Sequence, residues 1–96
     1  MVINRRTFNM NKGCMEAAIQ LIKDVVAEMR SEKSPRLSTA FFGPFDVLAM
    51  EVEFENLEQY EKYWKDLFAR PEMESFFEKW DKLTTTGGAN ELWEVR

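Results

Sequence analysis

Glutamates occupy every second position of residues 51–55, and this spacing predicts a row of carboxylates on one strand. Glu51, Glu53 and Glu55 stand two residues apart, and side chains at that spacing share one face of a strand. Two neighbouring carboxylates can divide acid and base work when their environments separate their pKa values. Glu51 and Glu53 are therefore the candidate catalytic residues. A solvated strand edge explains the same pattern without any catalysis.

A basic residue near the N-terminus is the candidate partner for these carboxylates. Arg6 lies within residues 2–9, which are rich in β-forming residues and predict the first strand. We expect Arg6 to reach Glu51 or Glu53 across neighbouring strands and to orient an anionic group there. Arg5, with the opposite parity, is expected to point to the helix-covered face. Ordinary solvated charges are the alternative interpretation.

The composition excludes several kinds of chemistry. The chain has no histidine and a single cysteine, Cys14, so the usual general base, zinc ligand and haem ligand are absent. No phosphate-binding glycine motif occurs, and we expect neither a cofactor nor a metal site. The net charge of −4 disfavours nucleic acid and membrane as partners. A lone cysteine cannot form an internal disulfide, which favours the cytoplasm.

Hydrophobic periodicity and turn residues predict the elements that must position these side chains. Apolar residues recur every three or four positions between residues 12 and 30, and alternate between residues 47 and 54. Asn56 followed by Gln59 predicts a helix start, and Asn11 predicts another. In the first half of the chain we expect a strand at 2–9, a helix at 12–30 and strands at 36–42 and 47–54. In the second half we expect a helix from residue 57 that is interrupted at Arg70-Pro71, a loop at 84–88 and a strand at 91–96.

This order of elements predicts the fold class. It is the β-α-β-β-α-β order of a ferredoxin-like α+β fold, with an antiparallel sheet in the order 4-1-3-2 and helices on one face. A chain of 96 residues fits one domain, residues 1–96. Seven of the thirteen aromatic residues lie between residues 60 and 80. We interpret them as helices packed on the sheet, with a cofactor-binding cluster as the alternative.

The uncovered face of the sheet, here called the open face, predicts assembly. Its expected residues mix apolar side chains with charges, and this mixture is too apolar for comfortable exposure to water. Two protomers packed face to face would cover it and leave a cavity between their sheets. We therefore expect a homodimer that binds a small molecule between the sheets. The candidate ligand-binding residues are Arg6, Phe8, Ala49, Glu51 and Trp93, with Val47 and Glu53 beside them.

Several short segments resemble the NIPSNAP family. Arg6-Thr7-Phe8 and the following Lys12-Gly13 resemble the strand and turn that open its domains. The remaining matches are to its hairpin, its second helix and its closing part: Phe42-Gly43-Pro44-Phe45-Asp46, residues 51–57, Arg70-Pro71-Glu72, residues 76–80 and Glu91-Leu92-Trp93. The resemblance implies the dimeric α+β-barrel superfamily, in which two ferredoxin-like protomers enclose a cavity.

The superfamily hosts several activities, so the resemblance alone does not fix a function. Its haem-degrading members rely on a histidine that this chain lacks. Its cofactor-free monooxygenases oxidise aromatic polyketides with Asn, Trp and Tyr residues, and Asn4 and Trp93 are the candidates for such roles here. The first hypothesis is a homodimer that binds a small, largely apolar molecule. The alternatives are a cofactor-independent monooxygenase acting on an aromatic substrate and a protein-interaction module.

Overall fold

The computed structural model describes residues 1–96 as a four-stranded antiparallel sheet with three helices on one face. The elements are β1 (Val2–Met10), α1 (Met15–Met29), β2 (Arg36–Thr39), β3 (Val47–Phe54), α2 (Leu57–Phe68), α3 (Glu72–Leu83) and β4 (Thr84–Glu94). The strand order β2-β3-β1-β4 confirms the predicted ferredoxin-like α+β fold and its 4-1-3-2 sheet. None of the helices has the length and apolar character needed to span a membrane.

Local sequence signals determine where α2 begins and ends. The Asn56 side chain accepts a hydrogen bond from the Gln59 backbone N–H at 2.9 Å, and the Gln59 side chain accepts one from the Glu55 N–H at 3.1 Å. The first bond satisfies a backbone donor that the first helical turn leaves free, and the second fixes the residue just before the N-cap. The predicted break before Pro71 separates α2 from α3. The chain therefore forms two short helices here instead of one long helix.

Replacing the cap tests its contribution directly. Asn56→Ala should lower the free energy of unfolding by about 1 kcal/mol, because the Gln59 N–H loses its acceptor. Urea unfolding followed by circular dichroism measures this loss. Asn56→Ser keeps an acceptor oxygen and should retain most of the stability. Equal losses in the two variants would contradict the capping role.

Two predicted boundaries differ from the structure. β2 ends at Thr39 rather than at residue 42, because the following residues form the turn that leads to β3. Helix α1 begins at Met15, with Cys14 at the position predicted for Asn11. The Asn11 side chain instead donates a hydrogen bond to the Lys82 carbonyl at 3.1 Å. It therefore ties the start of α1 to the end of α3.

Strand β4 starts earlier than predicted. Residues 84–88 were expected to form a loop, but Thr84 and Thr85 pair with Met10 and Asn9 of β1. The pairing is irregular between Thr7 and Asn9, and Gly87 and Gly88 opposite have positive φ angles of 118° and 99°. The loop prediction was wrong because paired glycines can serve a bulge inside a strand as well as a turn.

The main core lies between the sheet and helices α1 and α3. Its buried residues are Met10, Ala18, Ile22, Leu48 and Trp80. Phe8, Leu37 and Met50 pack against this cluster from the sheet. A second cluster of Val25, Met29 and Met73 joins the C-terminal half of α1 to α3. These contacts identify the covered face of each strand.

The covered face of β1 is the opposite of the predicted one. Phe8 pairs with Leu48 and Arg6 pairs with Met50, and directly paired residues share a face of the sheet. Because Leu48 is fully buried under the helices, Arg6 and Phe8 also lie under them, and Arg5 lies on the open face. The predicted open-face positions of Arg6 and Phe8 were therefore wrong.

Candidate functional site

A cavity of about 100 Å³ lies between the sheet and the helices. It is called the sheet–helix cavity here, and fifteen of its eighteen lining residues are hydrophobic. They come from β1, β3 and all three helices, with Ser31 and Pro35 from the connection after α1. A cavity of about 150 Å³ holds a benzene molecule. The sheet–helix cavity is smaller than that, so one small ring is the upper limit of what it can hold.

Aromatic side chains from α2 and α3 form one wall of this cavity. Ring centroids lie 5.4 Å apart for Trp64 and Phe68, 5.8 Å for Phe68 and Phe77, and 5.4 Å for Phe76 and Trp80. Spacings of three and four residues along each helix place these rings on one side. No residue of α2 is fully buried. The rings of α2 therefore border a space rather than fill a closed core.

Arg6 brings a positive charge to this apolar wall. The centre of its guanidinium lies 4.0 Å from the centroid of the Trp64 ring and 5.9 Å from that of Phe68. Such contacts stabilise a cation over an aromatic face. No carboxylate lies within 4.0 Å of the guanidinium, since the three ion pairs of the chain lie elsewhere. Its charge is therefore balanced by aromatic rings and not by an anion.

Asn4 holds Arg6 in this position. Asn4 is only 1% exposed, and its amide donates to the Asn90 side chain and to the Glu91 carbonyl, both at 2.8 Å. Its Oδ1 accepts a hydrogen bond from Arg6 Nε at 3.2 Å. This is the one side-chain hydrogen bond of Arg6, so the terminal nitrogens of the guanidinium keep their donors available.

Trp64 carries a second donor without a partner. Its Nε1 is the one buried side-chain nitrogen or oxygen that has no hydrogen-bond partner. A buried donor without an acceptor costs about 1–3 kcal/mol. Tyr63, beside it in the lining, already has a partner, because its hydroxyl lies 3.1 Å from the Ser31 hydroxyl. The lining thus combines apolar walls with the Arg6 guanidinium, and one of its rings, Trp64, carries a buried N–H without a partner.

The predicted site residues fall into two separate groups. Arg6 and Phe8 line the sheet–helix cavity, whereas Glu51, Glu53 and Ala49 lie on the open face. Trp93 also lies on the open face and is 59% exposed. Arg5, not Arg6, stands opposite Glu51, so the predicted approach of Arg6 to the glutamates was wrong. The sheet itself separates the cationic group from the carboxylates.

The same division applies to the two residues considered for an oxygenase role. Asn4 lies on the covered face next to Arg6, while Trp93 lies on the other side of the sheet. The tryptophan on the covered side is Trp64 of α2, which contacts Arg6. Sequence reasoning interpreted the α2 and α3 aromatics as packing on the sheet, with a cofactor-binding cluster as the alternative. Their density between residues 60 and 80 was the available signal for a cavity.

Comparison with solved structures confirms the resemblance to NIPSNAP domains at the level of the fold. An uncharacterized NIPSNAP domain protein from Burkholderia xenovorans superposes with a TM-score of 0.87 and 12% identity, covering 100% of this chain and 95% of that one. Protein Atu4242 from Agrobacterium tumefaciens superposes with a TM-score of 0.84 and 20% identity, covering 100% of this chain and 94% of that one. An antibiotic biosynthesis monooxygenase superposes with a TM-score of 0.72 and 11% identity, covering 100% of this chain and 99% of that one.

The protein therefore has the ferredoxin-like α+β fold that NIPSNAP domain proteins share with antibiotic biosynthesis monooxygenases. No protein-family model matches the sequence, and no curated protein matches it. Because the fold hosts different activities, the function has to be argued from the cavity and the faces of the sheet.

Proposed function

We propose that this protein binds a small, largely apolar molecule with one anionic or acceptor group in the sheet–helix cavity, and that it works as a homodimer. The observation that carries the proposal is the Arg6 guanidinium lying over the Trp64 ring, without an anionic partner, in an otherwise apolar lining. Ligand sites commonly consist of apolar walls with a few placed polar groups. This location replaces the space between two sheets that the sequence suggested, because Arg6 and Phe8 line the new one.

The size of the cavity limits the ligand. A volume of about 100 Å³ is below the ~150 Å³ of a cavity that holds benzene. A single small ring is therefore the largest group that the cavity takes, and its lining side chains have to shift to admit it. A carboxylate or phenolate on such a ring would accept hydrogen bonds from Arg6 and Trp64, and a charge-assisted bond to arginine is stronger than a neutral one. The proposed ligand class is therefore monocyclic aromatic acids and phenols. Polycyclic substrates would require the helices to move apart.

A pair of ring compounds tests this proposal. Benzoate carries the acceptor group and toluene lacks it, so wild-type protein should bind benzoate more tightly. Arg6→Met keeps an apolar stem but removes the guanidinium, and it should weaken benzoate binding at least tenfold. Toluene affinity should change by less than about threefold. Titration followed by ¹H–¹⁵N spectra measures both affinities and reports on the indole N–H of Trp64.

Two matched variants complete this experiment. Trp64→Phe keeps an aromatic ring but removes the N–H, so it should weaken benzoate binding more than toluene binding. Arg5→Met removes an arginine from the open face and should leave benzoate affinity unchanged. Equal binding of benzoate and toluene, or equal effects of Arg5→Met and Arg6→Met, would contradict the proposed site.

The second candidate function is a cofactor-independent oxygenase in the same cavity. It is supported by the fold shared with an antibiotic biosynthesis monooxygenase and by a cation positioned to stabilise a phenolate as it forms. Oxygen uptake with a monocyclic electron-rich phenol, lost in Arg6→Met, would favour it over simple binding. Dependence on Glu51 instead, tested with Glu51→Gln, would place the reaction on the open face. No uptake across a panel of phenols would reject the oxygenase.

The proposed homodimer is supported by apolar groups that no helix covers. Trp93 and Ile3 are paired on the open face, and Trp93 is 59% exposed. At the other end of the sheet, in the connection between β2 and β3, Phe41, Phe42 and Phe45 are 98%, 94% and 95% exposed. Apolar surface of this extent commonly marks a protein contact. Sedimentation equilibrium at micromolar concentration should therefore give the mass of two chains. A folded monomer under those conditions would contradict the dimer.

A further inference from the structure

An open groove runs along one edge of the sheet, between β2 and helix α1. It has a volume of about 720 Å³, and its lining residues come from α1, from the connection that follows it and from β2. Because β2 is the first strand in the order β2-β3-β1-β4, no strand of the chain covers its outer side. This surface is called the β2 groove here.

The backbone pairing of β3 shows which of its residues bond to each neighbouring strand. The Met10 N–H donates to the Asp46 carbonyl oxygen at 2.7 Å, and this pair continues the register of β1 and β3. Hydrogen-bonded pairs alternate along antiparallel strands. Counting on from Asp46, Leu48 and Met50 therefore bond to β1, and the residues between them bond to β2.

Two residues of β2 are left with outward-facing backbone groups. Arg36 and Ser38 stand opposite the β3 residues that bond to β2, so Leu37 and Thr39 direct their N–H and C=O groups away from the sheet. Neither residue takes part in a backbone hydrogen bond outside the regular elements. An edge strand with such groups is a template on which a further strand can pair.

The side chains of the groove supply an apolar floor and positive charge. The aliphatic side chains of the lining are Ile19, Ile22, Val26, Ala27 and Leu37. The charged residues of the lining are Lys23 and Arg30, and both are exposed. Neither belongs to an ion pair within 4.0 Å. Two unpaired cations in a chain of net charge −4 favour a negatively charged occupant.

We propose that the β2 groove binds an extended acidic segment of a partner protein, which adds to β2 as a further strand. The backbone of this segment bonds to Leu37 and Thr39, and its side chains on the helix side meet α1. Main-chain bonds of this kind supply affinity, and the side chains on alternate positions supply specificity. The inference is independent of the ligand proposed for the sheet–helix cavity.

The spacing of the two cations defines the sequence pattern of the partner. Lys23 and Arg30 are seven residues apart on α1, which is about 10 Å along a helix. Acidic residues four positions apart in a strand share one face and are about 13 Å apart. The flexible stems of lysine and arginine cover the difference. The groove therefore recognises the pattern acidic-x-apolar-x-acidic, with the apolar side chain against Val26 between the two cations.

A second copy of this chain fits the groove less well. The other free edge of the sheet is β4, which carries Glu91 and Glu94. Their odd spacing places the two carboxylates on opposite faces of the strand. At most one of them can meet a cation of the groove, so a segment of another protein is the better match.

Fluorescence anisotropy with two labelled peptides tests the recognition. One probe contains Glu-Thr-Val-Thr-Glu, in which threonine favours an extended strand, and the other has lysine in place of both glutamates. Wild-type protein should bind the glutamate probe about tenfold or more tightly than the lysine probe. Lys23→Glu should weaken binding of the glutamate probe by about tenfold or more. Lys65→Glu, an exposed substitution on α2 outside the groove, should change the Kd by less than about twofold.

A proline substitution tests the strand addition separately from the charges. Thr39→Pro removes the outward N–H but no bond to β3, and proline is tolerated on an edge strand where its nitrogen faces outward. It should weaken binding of the glutamate probe by about tenfold or more, because the added strand loses a donor. Thr39→Ala keeps the N–H and should stay within about threefold of the wild-type Kd. Circular dichroism confirms that both variants are folded.

Several outcomes of these measurements would overturn the proposal. They are no binding of the glutamate probe to wild-type protein, equal binding of the two probes, equal effects of Lys23→Glu and Lys65→Glu, and equal affinities of Thr39→Pro and Thr39→Ala. Sedimentation equilibrium covers the other occupant. A dimer that dissociates in Thr39→Pro but not in Thr39→Ala would assign the edge of β2 to a second copy. Benzoate binding is measured separately, so the cavity proposal stands or falls independently.

Discussion

Trp80→Ala should lower the free energy of unfolding by about 3–5 kcal/mol, as truncation of a large buried aromatic residue does. Trp80 is buried in the main core and stacks on Phe76 at a centroid distance of 5.4 Å. The Phe8 ring meets its edge at 5.1 Å. The truncation therefore removes contacts that join α3 to β1 and leaves a space that neighbouring rings cannot fill. Urea unfolding at one fixed protein concentration measures the loss.

A matched truncation on the surface provides the control. Phe45 is 95% exposed, so Phe45→Ala should change the stability of the single chain by less than about 0.5 kcal/mol. Both unfolding curves are measured at a protein concentration at which the chain is monomeric, so that dimerisation does not contribute to the difference in the free energy of unfolding. A loss below about 1 kcal/mol for Trp80→Ala would show that α3 does not form the core described here.

Local patterns in the sequence are sufficient to predict most of the fold. Residues 47–54 alternate cleanly between apolar and mixed positions, so both the existence of β3 and its buried face are predictable. Asn56 with Gln59 and the break at Pro71 are short-range signals with a direct physical cause. They fix the start of α2 and its separation from α3. Once these elements are identified, the order of the sheet follows from the ferredoxin-like topology.

The face of β1 is not predictable in this way. Each face of this strand mixes apolar and charged residues, with Asn4 and Arg6 on one side and Arg5 on the other. The alternation alone therefore does not distinguish the faces. Pairing with β3 determines which face of β1 is covered, because a shift of one residue would move every side chain to the opposite face of the sheet. Arg6 is accommodated under the helices by Trp64, a contact between residues that are far apart in the sequence.

The sheet–helix cavity depends on the same long-range contacts. Sequence spacing shows that α2 and α3 carry many rings, but it does not show whether those rings fill a core or surround a space. That distinction depends on how far α2 stands from the sheet, and none of its residues is fully buried. The orphan N–H of Trp64 also becomes visible only when all neighbouring acceptors are placed.

Gly88→Ala should destabilise the fold by about 2–5 kcal/mol. Gly88 has a φ of +99°, which costs a residue with a Cβ about 1–2 kcal/mol. An added Cβ would also collide with the backbone carbonyl oxygen of Thr7, and overpacking of this kind costs about 1–3 kcal/mol. The carbonyl belongs to a central strand and cannot yield as a flexible side chain would. Urea unfolding measures the combined effect.

Gly13→Ala separates the backbone strain from the collision. Gly13 has a φ of +82°, but an added Cβ there would have no neighbour within 4 Å. Its loss should therefore be about 1–2 kcal/mol. Because Thr7 lies between Arg6 and Phe8, any shift of β1 that relieves the collision at Gly88 also displaces two residues of the cavity lining. If the Gly88→Ala variant folds, it should therefore bind benzoate more weakly than the Gly13→Ala variant does. Equal stability losses in the two variants would show that β1 and β4 do not approach as closely as this bulge requires.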